Sequence, residues 1–190
     1  MSLFYKLSIT MGLLVIASNY LVQFPVSYFN LKEVLTYGAF TYPITFFITD
    51  LSNRAYGKTV ARKVVYIGFV IGIFLTLLIS TNFSDIISIR IAIGSGLAFF
   101  IAHNIDIKIF DALRKQHWSV APLSSSVAGS IIDTFLFFSI AFYGTEVPWV
   151  TLALGDLTVK LVIALLMLIP FRLLLFRMQE NSNSKKNISV

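Results

Sequence analysis

The sequence predicts an all-α integral membrane protein: a bundle of six transmembrane helices in one domain, with both termini in the cytoplasm. Three observations carry that expectation. The first is composition. Of 190 residues, 57% are hydrophobic and 13% charged, and the mean hydropathy is +0.83. A soluble domain carries about 25% charged residues; half that fraction cannot cover a small globule in water. The second is spacing, since six apolar stretches follow one another, each near the roughly 20 residues that cross a bilayer. The third is the distribution of basic residues, which gather at alternate ends of those stretches. Together they exclude an ordinary soluble enzyme, a disordered chain and a disulfide-stapled domain. The lack of cysteine removes thiol catalysis, cysteine-ligated zinc and thiol redox chemistry.

The first span covers roughly 5–24. Lys6 resembles the basic start of a signal peptide. The apolar run from Leu7 towards Val22 has no A-x-A site, however, and further spans follow, so the segment is expected to be retained. The second, 34–51, contains Pro43 and ends near Asp50. Proline is tolerated in lipid where neighbours satisfy the freed backbone groups. The third, 64–82, has no formal charge between Val64 and Thr81. The fourth, 86–106, is expected to continue as an amphipathic extension over 107–115. The fifth, 124–143, and the sixth, 151–175, carry charges inside otherwise apolar runs. The single domain is thus 1–178. The polar tail 179–190, rich in Asn, Ser and Lys, is expected to be disordered.

Orientation follows from charge. Lys6, the 2–3 loop (Arg54, Lys58, Arg62, Lys63), the 4–5 loop (Lys108, Arg114, Lys115) and the C-terminal end (Arg172, Arg177, Lys185, Lys186) fall on one side. Lys32 and Arg90 fall on the other. The positive-inside rule places the first set, and both termini, in the cytoplasm. Termini on one side require an even number of spans. The net charge of +6 is therefore a topology signal. No soluble basic face gathers it into a nucleic-acid patch.

Two motifs of soluble enzymes fail. Gly57-Lys58-Thr59 lacks the first glycine of a phosphate-binding loop, which would stand at Ser52, and no strand precedes it. Gly94-Ser95-Gly96 lacks its third glycine and its strand; Gly94, Ala98 and Ala102 read instead as a small-residue packing stripe. Gly68 and Gly72 form a GxxxG that suits close helix contact, within the bundle or across a homodimer. No enzyme activity, cofactor or metal-ligand spacing is expected.

Polar residues at membrane depth are the informative ones, because a charge near the bilayer centre costs about 2.5–3.5 kcal/mol on insertion scales. Asp133 lies mid-span with Ser126 and Gly129 on its face. Asp156 and Lys160 are four apart, hence on one face of the sixth span. Asn19 and Gln23 form a neutral edge with the same spacing. Asp50 closes the second span, as a site acid or a partner of Arg54. His103 and Asp106 read as interfacial. Phe46 and Phe47 are candidates to stack on a flat ligand.

Ser18-Asn19-Tyr20-Leu21-Val22-Gln23, Tyr37-Gly38-Ala39-Phe40 and Phe47-Ile48-Thr49-Asp50-Leu51 resemble segments of the bacterial queuosine precursor transporters, also called the vitamin uptake transporter family. So do Val60-Ala61-Arg62-Lys63, Asp106 with Phe110, Leu113-Arg114, Trp118 before Ala121-Pro122, Ser130 to Thr134, and Asp156 with Lys160. The resemblance runs from about Ile16 to Leu175. It implies uptake of 7-cyano-7-deazaguanine or 7-aminomethyl-7-deazaguanine across the inner membrane, for a tRNA modification. It also implies a fold similar to the substrate-binding subunits of energy-coupling-factor importers. A deazaguanine presents N1–H and an exocyclic amine as donors and O6 as an acceptor. A carboxylate accepts both donors, and an amide or ammonium serves O6. The expected substrate-binding set is Asn19, Gln23, Phe46, Asp50, Asp133, Asp156 and Lys160. The alternatives are a substrate-binding subunit of an ATPase-driven importer and a non-transporting membrane scaffold.

Overall fold

Backbone surrounded by hydrocarbon has no water to bond, so a spanning chain closes its hydrogen bonds within helices. A computed structural model of the chain shows this pattern over residues 3–28, 31–79 and 83–188, the residues it describes. The elements are α1 (Leu3–Leu21), α2 (Gly38–Thr41), α3 (Pro43–Tyr56), α4 (Lys58–Ile79), α5 (Ile86–Leu113), α6 (Val120–Phe142) and α7 (Trp149–Ile188). The extended pairing among the described residues is an isolated bridge between Pro25 and Thr36, inside the loop from α1 to α2.

Five helices, α1, α4, α5, α6 and α7, are long and apolar enough to cross a membrane. The span expected over 34–51 takes a different form. Its hydrogen-bond ladder is interrupted at Pro43, which divides it into the single turn of α2 and the 14-residue α3, while Tyr42 between them keeps helical dihedrals (φ −60°, ψ −40°). Pro43 causes the interruption, because it lacks an N–H and its ring crowds the preceding turn. The backbone is repaired locally. Tyr42 N–H bonds Gly38 O at 3.1 Å, and Thr45 donates to Tyr42 O through its own N–H at 2.9 Å and through Oγ1 at 2.7 Å. At 1.5 Å per residue α3 is about 21 Å long, short of the roughly 30 Å hydrocarbon core. Only with α2 does this segment approach a crossing.

The other boundaries follow their local chemistry. Gly57, at φ 81°, takes the left-handed conformation that turns α3 sharply into α4. The failed phosphate-loop motif is thus a helix–helix corner. Asp85 caps α5 by accepting from Ile87 N and Ser88 N, both at 3.1 Å. The amphipathic extension after the fourth span is an unbroken part of α5. The third span begins earlier than expected, at Lys58, and its expected end over 80–82 lies outside the described residues. α7 continues past Gln179, where the tail was expected to lose order, as far as Ile188; adding residues to a formed helix costs far less than nucleating one. Ser189 and Val190 lie outside the described residues.

α5 packs most extensively on α6, and α1 on α4. The GxxxG of α4 serves the second contact. A Cβ on Gly68 would collide with Met11, and one on Gly72 would stand 2.6 Å from Val15 Cγ1. That face is filled by α1 of the same chain, so of the two expected readings the GxxxG takes the contact within the bundle. The small stripe of α5 likewise receives α6, with Gly94 set against Ile140 and Phe137.

Candidate functional site

α6 and α7 adjoin through the short turn 143–148, and both direct charge inward. Asp156 and Lys160 share one face of α7, and Asp133 faces them from α6. Lys160 Nζ lies 2.9 Å from Asp133 Oδ2 and 2.5 Å from Asp156 Oδ2. Thr134 completes the arrangement: its Oγ1 donates to Asp156 Oδ2 at 2.8 Å and accepts from Lys160 at 3.0 Å. The second oxygen of Asp133 accepts the Tyr42 hydroxyl at 2.6 Å. The Lys160 ammonium also stands over the Tyr42 ring, 4.8 Å from its centroid. All of these side chains are buried. The proline-interrupted turn at Tyr42 and Pro43 therefore sits beside the ionic cluster.

The cluster borders a cavity of about 30 Å³ lined by Ser18, Asn19, Tyr42, Ser95, Phe137 and the three charged residues, among others. Asn19 is fixed on both sides of its amide. Its Nδ2 donates to Thr76 Oγ1 at 3.0 Å, and its Oδ1 accepts from Ser95 Oγ at 2.5 Å. Val22 lines this cavity and also a larger one, of about 460 Å³, with Gln23, Lys32, Glu33, Asp85 and Phe142. The larger cavity lies among the loops at the end of the bundle opposite the basic loops.

The structure thus brings Asn19, Asp133, Asp156 and Lys160 into one site. Gln23 is exposed, reaches back to Asn19 O at 3.2 Å and lines the larger cavity instead. Phe46 is buried against Gly129, where an added Cβ would stand 2.5 Å from its Cε1; it stacks on His103 at 4.4 Å. It does not line the small cavity.

Asp50 lies two helical turns beyond Tyr42 on α3, about 12 Å along the axis, in a second polar cluster. Its oxygens accept from Ser125 at 2.9 Å and Ser126 at 3.0 Å, and Asp106 of α5 lies alongside. Asp50 makes no bond to Arg54, whose Nη1 donates instead to Arg114 O at 2.9 Å. His103 and Asp106 are fully buried in the bundle rather than interfacial.

Sequence reasoning missed Tyr42, Thr134 and Ser95 as members of the site. Hydroxyls are common in membrane helices, where they usually bond their own preceding carbonyl. A signal did exist, in Thr134 next to Asp133 and in Tyr42 just before a helix-breaking proline. Among the described residues no group of three or more His, Cys, Asp or Glu side chains has the geometry to hold a metal ion.

A family model described as "Putative vitamin uptake transporter" matches residues 36–175. A "Probable queuosine precursor transporter" of Haemophilus influenzae is 33% identical, the match covering 83% of this chain and 79% of the relative. The "Queuosine precursor transporter" of Escherichia coli is 31% identical, with 90% and 82% covered. A "Probable queuosine precursor transporter" of Bacillus subtilis is 30% identical, with 87% and 84% covered. No solved structure gives a significant match. These names describe transporters rather than enzymes, as the five long apolar helices would suit. The chain belongs to the queuosine precursor transporter family, also called the vitamin uptake transporter family.

Proposed function

We propose that the protein carries queuosine precursors, 7-cyano-7-deazaguanine or 7-aminomethyl-7-deazaguanine, inward across the bacterial inner membrane, as a six-span carrier with both termini cytoplasmic. The observation that carries this reading is the buried Asp133–Lys160–Asp156 cluster, bonded to the Tyr42 hydroxyl and bordering a cavity. Asp133 has the acceptors for the base's N1–H and exocyclic amine. One of its oxygens now takes the Tyr42 hydroxyl, and the other takes Lys160. A ligand that displaces Tyr42 and draws Lys160 to its O6 leaves the ammonium bonded to Asp156, so no buried charge is stranded. Asn19 and Ser95 supply neutral groups on the facing side.

The small cavity, at about 30 Å³, holds roughly one water. A fused two-ring base needs several times that volume. Binding therefore requires Tyr42 or Phe137 to move, and the adjoining cavity of about 460 Å³ is the route that fits a small ligand.

Binding of 7-cyano-7-deazaguanine to purified protein tests this reading. Saturable binding that Asp133→Asn weakens is the expected result. Protein with a normal melting transition and no binding of either precursor would overturn it. Orientation has its own check: single cysteines at Ser27, Ser84 and Thr145 should label from outside the cell, and one at Ser182 should not.

A further inference from the structure

We propose that Asp50 and Asp106 form a proton-binding site that couples uptake to proton movement down its gradient. The proposal rests on the transport reading above and adds its driving force. Asp50 is 2% exposed and Asp106 0%. Among the described residues, neither forms an ion pair. Asp50 at least accepts two serine hydroxyls. Asp106 is poorer still: both of its carboxyl oxygens are buried without a hydrogen bond of good geometry, and the hydroxyl beside it, Ser125, already donates to Asp50.

Asn53, one turn beyond Asp50, repeats the deficit independently. It is fully buried, and its Nδ2 donates to the backbone of Ile107, the neighbour of Asp106, at 3.1 Å. Its Oδ1 is left unpartnered. The cluster is therefore rich in acceptors and short of donors. Two ionised carboxylates side by side away from water are costly, and like charges that close do not both ionise readily. One proton supplies the missing donor. Added to Asp106 as an O–H, it can bond Asp50 or Asn53 Oδ1 and lowers the charge of the pair from −2 to −1.

Among the described residues no basic group is paired with either acid, and Arg114 reaches Asn53 at its backbone O, at 2.8 Å. On α5, His103 is held by Phe99 O and Thr45 Oγ1, each at 3.1 Å. On α4, Arg62 makes no salt bridge with either acid, although its Nε is itself buried without a hydrogen-bonding partner. The α7 residues beside Asp50 are Ala164, Met167, Leu168 and Phe171, and the gap there is about 10 Å³, too small for a hydrated cation.

Position makes the pair suitable for coupling. From Tyr42 to Asp50 along α3, and from Asp133 to Ser126 along α6, the clusters are about 10–12 Å apart. The acid pair lies nearer the basic end of the bundle. Between them Phe46 fills the notch at Gly129, so a shift of α3 against α6 at one cluster is felt at the other.

The test uses the full chain in proteoliposomes, with labelled 7-cyano-7-deazaguanine. Wild type should accumulate it when the outside is acidic. At one proton per neutral substrate, the limit is about ten-fold for each pH unit of gradient. A proton ionophore should abolish accumulation. Asp106→Asn should keep substrate exchange within about two-fold of wild type, yet accumulate none. Infrared difference spectra of purified protein between acid and alkaline buffer should show a protonated-carboxyl band, and Asp106→Asn or Asp50→Asn should remove it. That band does not depend on transport, so its presence in a protein that carries no precursor would overturn the uptake reading and leave the proton site standing. Accumulation that follows sodium instead of protons, or spectra identical in wild type and Asp106→Asn, would overturn the proposal.

Discussion

The two buried clusters hold the same number of carboxylates and differ in one cation. At the α6–α7 cluster, Asp133 and Asp156 enclose Lys160, and Tyr42 and Thr134 fill remaining bonding positions. At the α3–α5 cluster, Asp50 and Asp106 have two serine donors between them and no ammonium. A buried charge is tolerated when paired and hydrogen-bonded, and becomes costly when it is not. The first cluster is therefore complete in itself, and a ligand must exchange into its bonds. The second lacks a donor, which something small must supply. One arrangement suits selective recognition, and the other suits a site that fills and empties.

The sharpest way to break the comparison is to make the first cluster resemble the second. Lys160→Met keeps the length of the side chain and removes the ammonium. Asp133 and Asp156 then face each other without a cation. Removing one partner of a buried ion pair costs about 3–5 kcal/mol. Unfolding in detergent should show a loss of that size, and Asp156→Asn added to Lys160→Met should recover part of it. A Lys160→Met protein as stable as wild type would mean that the cluster already carries a shared proton, and the contrast between the two sites would dissolve.

Asp133→Asn comes next, and it acts on affinity more than on the fold. Lys160 keeps Asp156, so no charge is left alone. The substrate loses a hydrogen bond to a charged acceptor, worth about 1.5–3 kcal/mol, which corresponds to roughly ten-fold to 150-fold in affinity. Binding and melting temperature measured on the same preparation decide the matter. Collapse of stability with normal affinity in the folded fraction would make Asp133 a structural anchor.

Much of the first cluster was legible because a charge inside an apolar run stands out. Asp133, Asp156 and Lys160 were all visible in that way, Asn19 stood out as a polar amide in its span, and the i, i+4 spacing placed Asp156 and Lys160 on one face. What escaped was adjacency between helices. Nothing in the periodicity of α3 says that Asp50 will meet α5 and α6 rather than Arg54 one turn away. The same blindness hid the use of Gly68 and Gly72, since a GxxxG fits any close neighbour and α1 occupies it. The interrupted ladder was half legible: Pro43 was seen, but not that Tyr42 just before it would reach Asp133 on α6. The sixth span, expected over 151–175, lies close to the apolar stretch Trp149–Phe176 of α7, whose helix then continues into polar sequence that hydrophobicity does not mark.

A third substitution tests the contact that lies between the clusters. Gly129→Ala places a methyl 2.5 Å from Phe46 Cε1. Overpacking of this kind costs about 1–3 kcal/mol, and Phe46→Leu in the same chain should relieve it. If the two clusters communicate through this notch, Gly129→Ala should also reduce the transport rate more than it reduces substrate affinity. Equal loss of both would confine the notch to packing.

The smallest expected effect compares the two sites bond for bond. Tyr42→Phe deletes one hydroxyl donor to Asp133, and Ser126→Ala deletes one to Asp50, bonds of 2.6 and 3.0 Å. Both donors are buried. A hydrogen bond to an ionised group contributes about 1.5–3 kcal/mol, and one between neutral partners about 0.5–1.5 kcal/mol. Asp133 is ion-paired with the Lys160 ammonium at 2.9 Å, so Tyr42→Phe should fall in the upper range. If Asp50 and Asp106 share a proton, the bond from Ser126 meets a carboxyl of reduced charge, and Ser126→Ala should fall in the lower range. Ser125 still serves Asp50 in that variant, which further limits the loss. Chemical denaturation of the two single variants in one detergent gives the difference directly. A Ser126→Ala cost as large as that of Tyr42→Phe would show that Asp50 is fully ionised in the folded protein, and the charge it then carries would need a cation rather than a proton to balance it.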